Sequence, residues 1–340
     1  MPPLNGHPLR IGIVGASTLR GKDIAQILDE RPLPIPVAEM RLLDDPTSSG
    51  TLTEAGGEPV VIQGLDEDSF LGLDLVFFVC EEAFAARYWA EAERAGAAVI
   101  DLSGVLGGAR SAFSWIPALD GTHSPPGAPG TKLFYSPGAA AIVACTVATA
   151  LHRLQVRRMA AVFYQPVSEL GAAGIEELES QTVKLLSFQP IAREVFDAQV
   201  AFNLLDRYGE ACRVSLEDSR SIVARDVARY LGLEISVPAV QVIQAPVFYS
   251  IGFSIYLELE QTHTVEEIGT ALTGAGVRVS APEDPPTTNV SVAGTRDVTI
   301  GSIRRDSNLE LGYWLWGAVD NVRLAADNAV RIAEKILASR

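Results

Sequence analysis

The chain is poor in the side chains that bind metals and form cross-links. Its 340 residues include 3 cysteines and 4 histidines. Cys80, Cys145 and Cys212 are odd in number, far apart and set in apolar runs, which excludes a disulfide framework and leaves reduced core residues. His7, His123, His152 and His263 include no pair at metal-ligand spacing, so no metal site is expected. Basic residues are also scarce, 27 against 42 acidic ones, for a net charge of −15. That balance excludes nucleic acid or an anionic membrane surface as a general partner. No apolar run reaches the ~18 residues of a membrane-spanning helix. Residues 1–10 lack the apolar stretch of a signal peptide, so a cytoplasmic chain is expected. There is no internal repeat. The apolar fraction of 48% is that of a folded globular chain, long enough for more than one core.

The first half alternates strand and helix. Leu9-Arg10-Ile11-Gly12-Ile13-Val14 reads as a short apolar strand that runs into a small-residue turn and then the helical pattern Ile24, Ile27, Leu28. Further strands are expected at 40–43, 59–62, 75–79 and 98–103, with a helix at 85–95. This order predicts a parallel, doubly wound sheet. The Pro/Gly-rich stretch 125–130 is the expected surface loop before a second domain.

The second half reads differently. Strands at 159–165, 237–247, 253–259 and 298–304 alternate in polarity and predict an antiparallel sheet with one solvated or covered face. Helices are expected at 174–186, 219–230 and 265–272, and a final one at 320–337. Two further strands, Val247-Phe248-Tyr249 and Tyr313-Trp314-Leu315-Trp316, carry more large apolar groups than a solvated surface needs. They point to a homodimer, the alternative being that these rings are ordinary core.

The turn after the first strand is a candidate dinucleotide loop made of Gly15, Ala16, Ser17, Thr18, Leu19 and Gly21. Small residues are needed where backbone approaches a pyrophosphate at a helix N-terminus. Thr18 crowds that approach, so a tight turn that binds no nucleotide stands beside the binding reading. Asp44 and Asp45 follow the next strand. They repel a ribose 2′-phosphate and suit a free 2′-hydroxyl, so a bound dinucleotide would be NAD in preference to NADP. The alternative is a solvated acidic turn.

Ser136-Pro137-Gly138-Ala139-Ala140-Ala141 leads into the apolar helix Ile142-Val143-Ala144-Cys145-Thr146-Val147-Ala148. Such a turn presents one side chain at a helix N-terminus, where free N–H groups and the helix dipole stabilise a thiolate. The segment resembles Asn-Pro-Asn-Cys-Thr/Ser-Thr of the aspartate-semialdehyde dehydrogenase family, and Ala139 stands where that family has its nucleophilic cysteine. Cys145, six positions on and inside the apolar helix, reads as core.

The resemblance extends along nearly the whole chain. Gly15-Ala16-Ser17-Thr18-Leu19-Arg20-Gly21 is similar to the family's Gly-Ala-Thr-Gly-x-Val-Gly, and Asp101-Leu102-Ser103-Gly104-Val105-Leu106-Gly107 to its Asp-x-Ser-Ser-Ala-Phe-Arg. Gly107 thus replaces a phosphate-binding arginine. Tyr164-Gln165-Pro166-Val167-Ser168-Glu169-Leu170-Gly171 resembles Tyr-Gln-Ala-Val-Ser-Gly-Ala-Gly, placing Gln165 on the substrate-orienting glutamine and Glu169 on a glycine beside the nicotinamide. Gln244-Ala245-Pro246-Val247 and Gly252-Phe253-Ser254 are similar to Arg-Val-Pro-Val and Gly-His-Ser. Gln244 therefore replaces the arginine that grips the substrate carboxylate, and Phe253 the general acid/base. Asp320-Asn321-Val322-Arg323 and Asp327-Asn328-Ala329 resemble the family's closing helix.

What the resemblance implies is specific in fold. It gives an α/β Rossmann-like doubly wound N-terminal domain and an α+β C-terminal dimerisation domain of glyceraldehyde-3-phosphate dehydrogenase type. Residues 1–133 with 320–340 would form the NAD(P)-binding domain, and 134–319 the dimerisation domain. The family's chemistry is phosphate-dependent, NAD(P)-linked semialdehyde oxidation in amino-acid biosynthesis. Here Ala139, Phe253 and Gln244 predict a pseudoenzyme that acts by binding, as a homodimer with a small-molecule ligand or protein partner. The alternative is an oxidoreductase with altered aldehyde chemistry.

Overall fold

A computed structural model describes residues 8–47, 49–55, 58–123 and 130–338. The chain forms two compact units. One takes Met1–Pro117, Pro125–Pro137 and Ala325–Arg340, and the other Ala118–Ser124 and Gly138–Leu324. His7 and most of the 125–130 stretch lie outside the described residues.

The first unit is built on a seven-stranded, wholly parallel sheet. Its strands are β1 (Leu9–Val14), β2 (Val37–Asp44), β5 (Gln63–Gly64), β6 (Leu75–Phe78), β7 (Ala98–Asp101), β8 (Phe113–Ser114) and β9 (Leu133–Tyr135). Their order is β5-β2-β1-β6-β7-β9-β8. Strands β3 (Leu52–Ala55) and β4 (Glu58–Val61) form a separate hairpin. Helix α1 (Leu19–Glu30) follows β1 and helix α2 (Glu82–Arg94) follows β6. Ile24, Ile27 and Leu28 of α1 share a core with Ile11, Ile13 and Phe77, while Ala85 and Ala92 of α2 pack with Val14, Val76 and Phe78. The sheet is therefore covered on both faces, which is why its strands read as continuous apolar runs. The strand order reverses between β1 and β6, and the crevice of such a sheet opens there, at the carboxyl ends of the strands.

The second unit carries a six-stranded sheet. Its strands are β10 (Val156–Gln165), β11 (Ala239–Gln244), β12 (Ile251–Leu259), β13 (Arg278–Val279), β14 (Thr299–Arg305) and β15 (Gly312–Val319), in the order β11-β10-β12-β15-β14-β13. This sheet is mixed, which corrects the antiparallel expectation. β11 runs parallel to β10, and β13 parallel to β14. A second correction concerns Val247-Phe248-Tyr249. It is irregular loop, because the strand expected over 237–247 is cut to Ala239–Gln244, flanked by Pro238 and Pro246, which cannot donate to a ladder.

Helix α3 (Ala139–Leu151) is apolar on all sides and is buried at every position but Ala150. It packs on α5 (Leu216–Leu231), α6 (Val265–Gly274) and β10. Helix α4 (Gly171–Leu186) follows β10, and α7 (Asn321–Ala338) closes the chain. Phe163, Phe253, Ile255, Leu257 and Leu315 fill the inner face of the sheet. Its other face presents Tyr164, Tyr256, Trp314 and Trp316, paired as Tyr164–Trp316 and Tyr256–Trp314 with ring centroids 6.2 and 5.0 Å apart.

Candidate functional site

In the first unit the glycines of the candidate loop are sterically required. Gly15 has φ +92°, and a Cβ there would sit 2.6 Å from Cys80 N. A Cβ on Gly21 would sit 2.3 Å from Gly15 O. The polar groups of the turn are turned inward. Thr18 caps α1: its Oγ1 accepts from Gly21 N at 3.0 Å and donates to Gly15 O at 2.7 Å. Ser17 N donates to Asp44 Oδ2 at 2.9 Å, and Asp45 N to Asp44 Oδ1 at 2.9 Å. Asp44 is only 5% exposed, so it is not the solvated turn residue of the alternative reading. Leu19 opens the helix and Ala16 is buried.

Two further groups lie along the carboxyl edge of this sheet. Asp101 is fully buried and accepts Ser103 N at 2.7 Å and Leu106 N at 2.7 Å, an internal turn closure. Burial raises its carboxyl above the ordinary range, against the pull of those bonds. Burial likewise pushes the Cys80 thiol up to about 12, with the Asp101 and Asp44 charges adding to it. Asn328 donates to Ser136 Oγ at 2.8 Å and to Trp115 O at 3.0 Å, which gives this asparagine of the last helix a structural task.

In the second unit Ala139 is the first residue of α3, behind the N-cap Gly138, and is 2% exposed. The position presents a buried methyl group. Phe253 on β12 is fully buried, its ring 6.2 Å from that of Phe163 and pressed over Gly317. Cys145 is fully buried, and desolvation raises its thiol well above the ordinary value. Cys80 and Cys212 are half-buried, a correction to the expectation that all three thiols lie in the core.

Gln244 and Gln165 are brought together by a residue that the sequence did not single out. Gln165 Nε2 donates to Tyr208 Oη at 3.1 Å, and Tyr208 Oη donates to Gln244 Oε1 at 2.6 Å. Gln244 Nε2 then donates to Gln165 O at 2.9 Å and to Ala245 O at 2.8 Å. Every hydrogen-bonding group of the Gln244 side chain is thus engaged, and the residue is fully buried. Burial drives the Tyr208 phenol up, so it stays a neutral donor.

A second buried cluster stands beside these residues in sequence. Asn321 donates to Ser168 Oγ at 3.1 Å and Glu169 Oε1 at 2.8 Å, and accepts from Ser250 N at 3.0 Å. Ser250 holds a left-handed φ of +71°. The long connection 187–215 is tied down by two side chains of α4. Glu177 accepts Val195 N at 2.6 Å, and Gln181 accepts Val200 N at 2.8 Å while donating to Ala192 O and Ala198 O, both at 3.0 Å. That connection lacks periodicity, so nothing in its sequence marked Tyr208. His123 is buried, with Nε2 2.9 Å from Tyr230 O. Among the described residues no group of side chains is arranged to hold a metal. No described helix is long and apolar enough to cross a membrane.

A parallel nucleotide-type sheet joined to a mixed sheet with a buried first-turn helix defines the class: a two-domain chain of semialdehyde dehydrogenase architecture. Residues 10–120 match the semialdehyde dehydrogenase NAD-binding domain, and residues 149–324 the semialdehyde dehydrogenase dimerisation domain. The chain belongs to the semialdehyde dehydrogenase family. It is 32% identical over 339 residues to a protein of Azotobacter vinelandii named USG-1 protein homolog, covering 96% of this chain and 97% of that one. It is 28% identical to the aspartate-semialdehyde dehydrogenase of a Synechocystis strain, covering 97% and 98%. A solved probable aspartate-semialdehyde dehydrogenase from Pseudomonas aeruginosa superposes with a TM-score of 0.86 at 28% identity, covering 97% of this chain and 99% of that one.

Proposed function

We propose that this chain is a family member that has lost phosphate-dependent semialdehyde oxidation and acts by binding, as a homodimer. The observation that carries the reading is the state of Gln244. At the position of the family's carboxylate-binding arginine stands an amide whose hydrogen bonds are all spent inside the protein. Ala139 and Phe253 support it, since a buried methyl and a buried ring supply neither nucleophile nor base. Loss of that pair removes most of the rate enhancement of a covalent mechanism.

The dinucleotide turn supports the same reading. Its glycines keep the family's shape, but Thr18 and Asp44 take amide bonds that a pyrophosphate cradle would offer. These residues do not fit a dinucleotide well, and Asp44 disfavours NADP further. The second domain's exposed aromatic face supports the dimer. Trp314 is 41% exposed on that face.

The test is a dehydrogenase assay with aspartate semialdehyde, phosphate and NAD or NADP, run on purified protein beside light scattering. Absence of turnover with a dimer mass is expected. Ala139→Cys should not restore activity, because a thiol without its base stays protonated at neutral pH. Substantial wild-type turnover, or a monomer mass at micromolar concentration, overturns the corresponding half of the reading.

A further inference from the structure

Strand β11 is an edge strand, paired only with β10 along its length. Its hydrogen-bonding groups point alternately to the two sides. Ala245 N donates to Gln165 O on the β10 side, whereas Gln244 N and O exchange bonds with Leu205 on the open side. By the period of two, the N–H and C=O of Val242 and Val240 also face the open side, and no partner takes them among the described residues. One residue pair of an added antiparallel strand is therefore already formed, and the next two positions are vacant.

A cavity of about 300 Å³ opens at Val242, and Val240 lies two residues further along the same edge. Its floor includes Gln241 and Val242, one wall is the segment carrying Asp206, Arg207 and Tyr208, and the other is the first turn of α5. Arg207 has no acidic partner among the described residues, and Asp206 and Glu210 have no basic one. Arg220, by contrast, is held by Glu217. The cavity stands at the lower end of the ~300–1,000 Å³ range of small-ligand clefts. It is too small for a whole strand and offers unpaired charges of both signs beside vacant main-chain groups.

We propose that this groove binds a short zwitterionic peptide in extended conformation, added to β11. Main-chain bonds to Val242 and Val240 supply the affinity common to all sequences. The terminal carboxylate meets Arg207, and the terminal ammonium meets Asp206 and Glu210. Tyr208 lines this groove and also carries the bond to Gln244, so the groove adjoins the buried relay. The site uses neither Ala139 nor Phe253 and stands whether or not semialdehyde oxidation is lost.

The test is calorimetric titration of the full chain with the tripeptide Ala-Val-Ala, its acetylated and amidated form, and free alanine. The free tripeptide should bind, at least tenfold more tightly than the capped one, with free alanine giving no signal. Hydrogen exchange should slow at Val240 and Val242 on its addition. Arg207→Ala should weaken binding about tenfold with the melting temperature unchanged, since Arg207 is exposed and unpaired. Val240→Pro should abolish it, because it removes an outward donor and leaves the β10 ladder intact; circular dichroism checks that the sheet persists. No binding of the tripeptide at millimolar concentration overturns the proposal. So does equal affinity of the capped form, binding that survives Arg207→Ala, or protection located elsewhere.

Discussion

Tyr208 Oη lies 2.6 Å from Gln244 Oε1 and donates to it, while both amide protons of Gln244 go to main-chain carbonyls. The bond joins an irregular connection to the end of a strand, and the backbone bridge Leu205–Gln244 runs alongside it. A fully buried amide has thereby become part of the internal framework. Removing the donor should show this. Tyr208→Phe leaves Gln244 Oε1 buried without a partner, a loss of about 1–3 kcal/mol. Urea unfolding of the two proteins measures it, and equal midpoints would remove Gln244 from the framework.

The connection 187–215 should depend on Gln181. Gln181→Ala deletes bonds to Ala192, Ala198, Val200 and Ala201. A loss of about 2 kcal/mol or more is expected, together with new proteolytic cleavage between 190 and 203. Mass spectrometry of a limited digest locates the cuts. Cleavage confined to the chain ends would mean that the loop is held by its apolar residues alone.

Stability should fall in alkali. Burial pushes the Cys80 thiol from an ordinary value of 9.0 to about 12 in the folded chain. Between about pH 9 and 12 the unfolded chain then holds fewer protons than the folded one, so unfolding becomes easier as pH rises. The slope from this group reaches about 1.4 kcal/mol per pH unit at most, and its contribution is fully present below pH ~9. Cys80→Ala should flatten the profile in that window, as read by denaturant midpoints at stepped pH. An unchanged profile would show that Cys80 is not the titrating group.

The two small residues of the β1–α1 turn should tolerate no side chain. Gly21→Ala places a methyl 2.3 Å from Gly15 O, an overpacking that costs about 1–3 kcal/mol. Gly108→Ala, with nothing within 4 Å of its added carbon, serves as the control and should melt like the wild type. Thermal melts of both variants decide the matter, and coincident curves would contradict the tight turn.

The parallel sheet and its two covering layers were legible in the sequence, because apolar runs, helical spacing and the small-residue turn are local signals. So was the apolar character of α3, read over Ile142–Ala148, although the helix runs further, from Ala139 to Leu151. The direction of β11 was not. Whether a strand pairs parallel or antiparallel depends on how the intervening chain returns, and 187–215 carries no periodic pattern from which to read that return. The burial of Gln165, Tyr208 and Gln244 was equally hidden, since a polar residue enters a core only where distant groups complete its hydrogen bonds. The sequence by itself determined that positions 139, 244 and 253 carry a methyl, an amide and an aromatic ring, and its motifs raised the expectation that these replace reactive groups. Only the tertiary structure decided their state: a buried methyl, a fully bonded amide and a ring closed over Gly317.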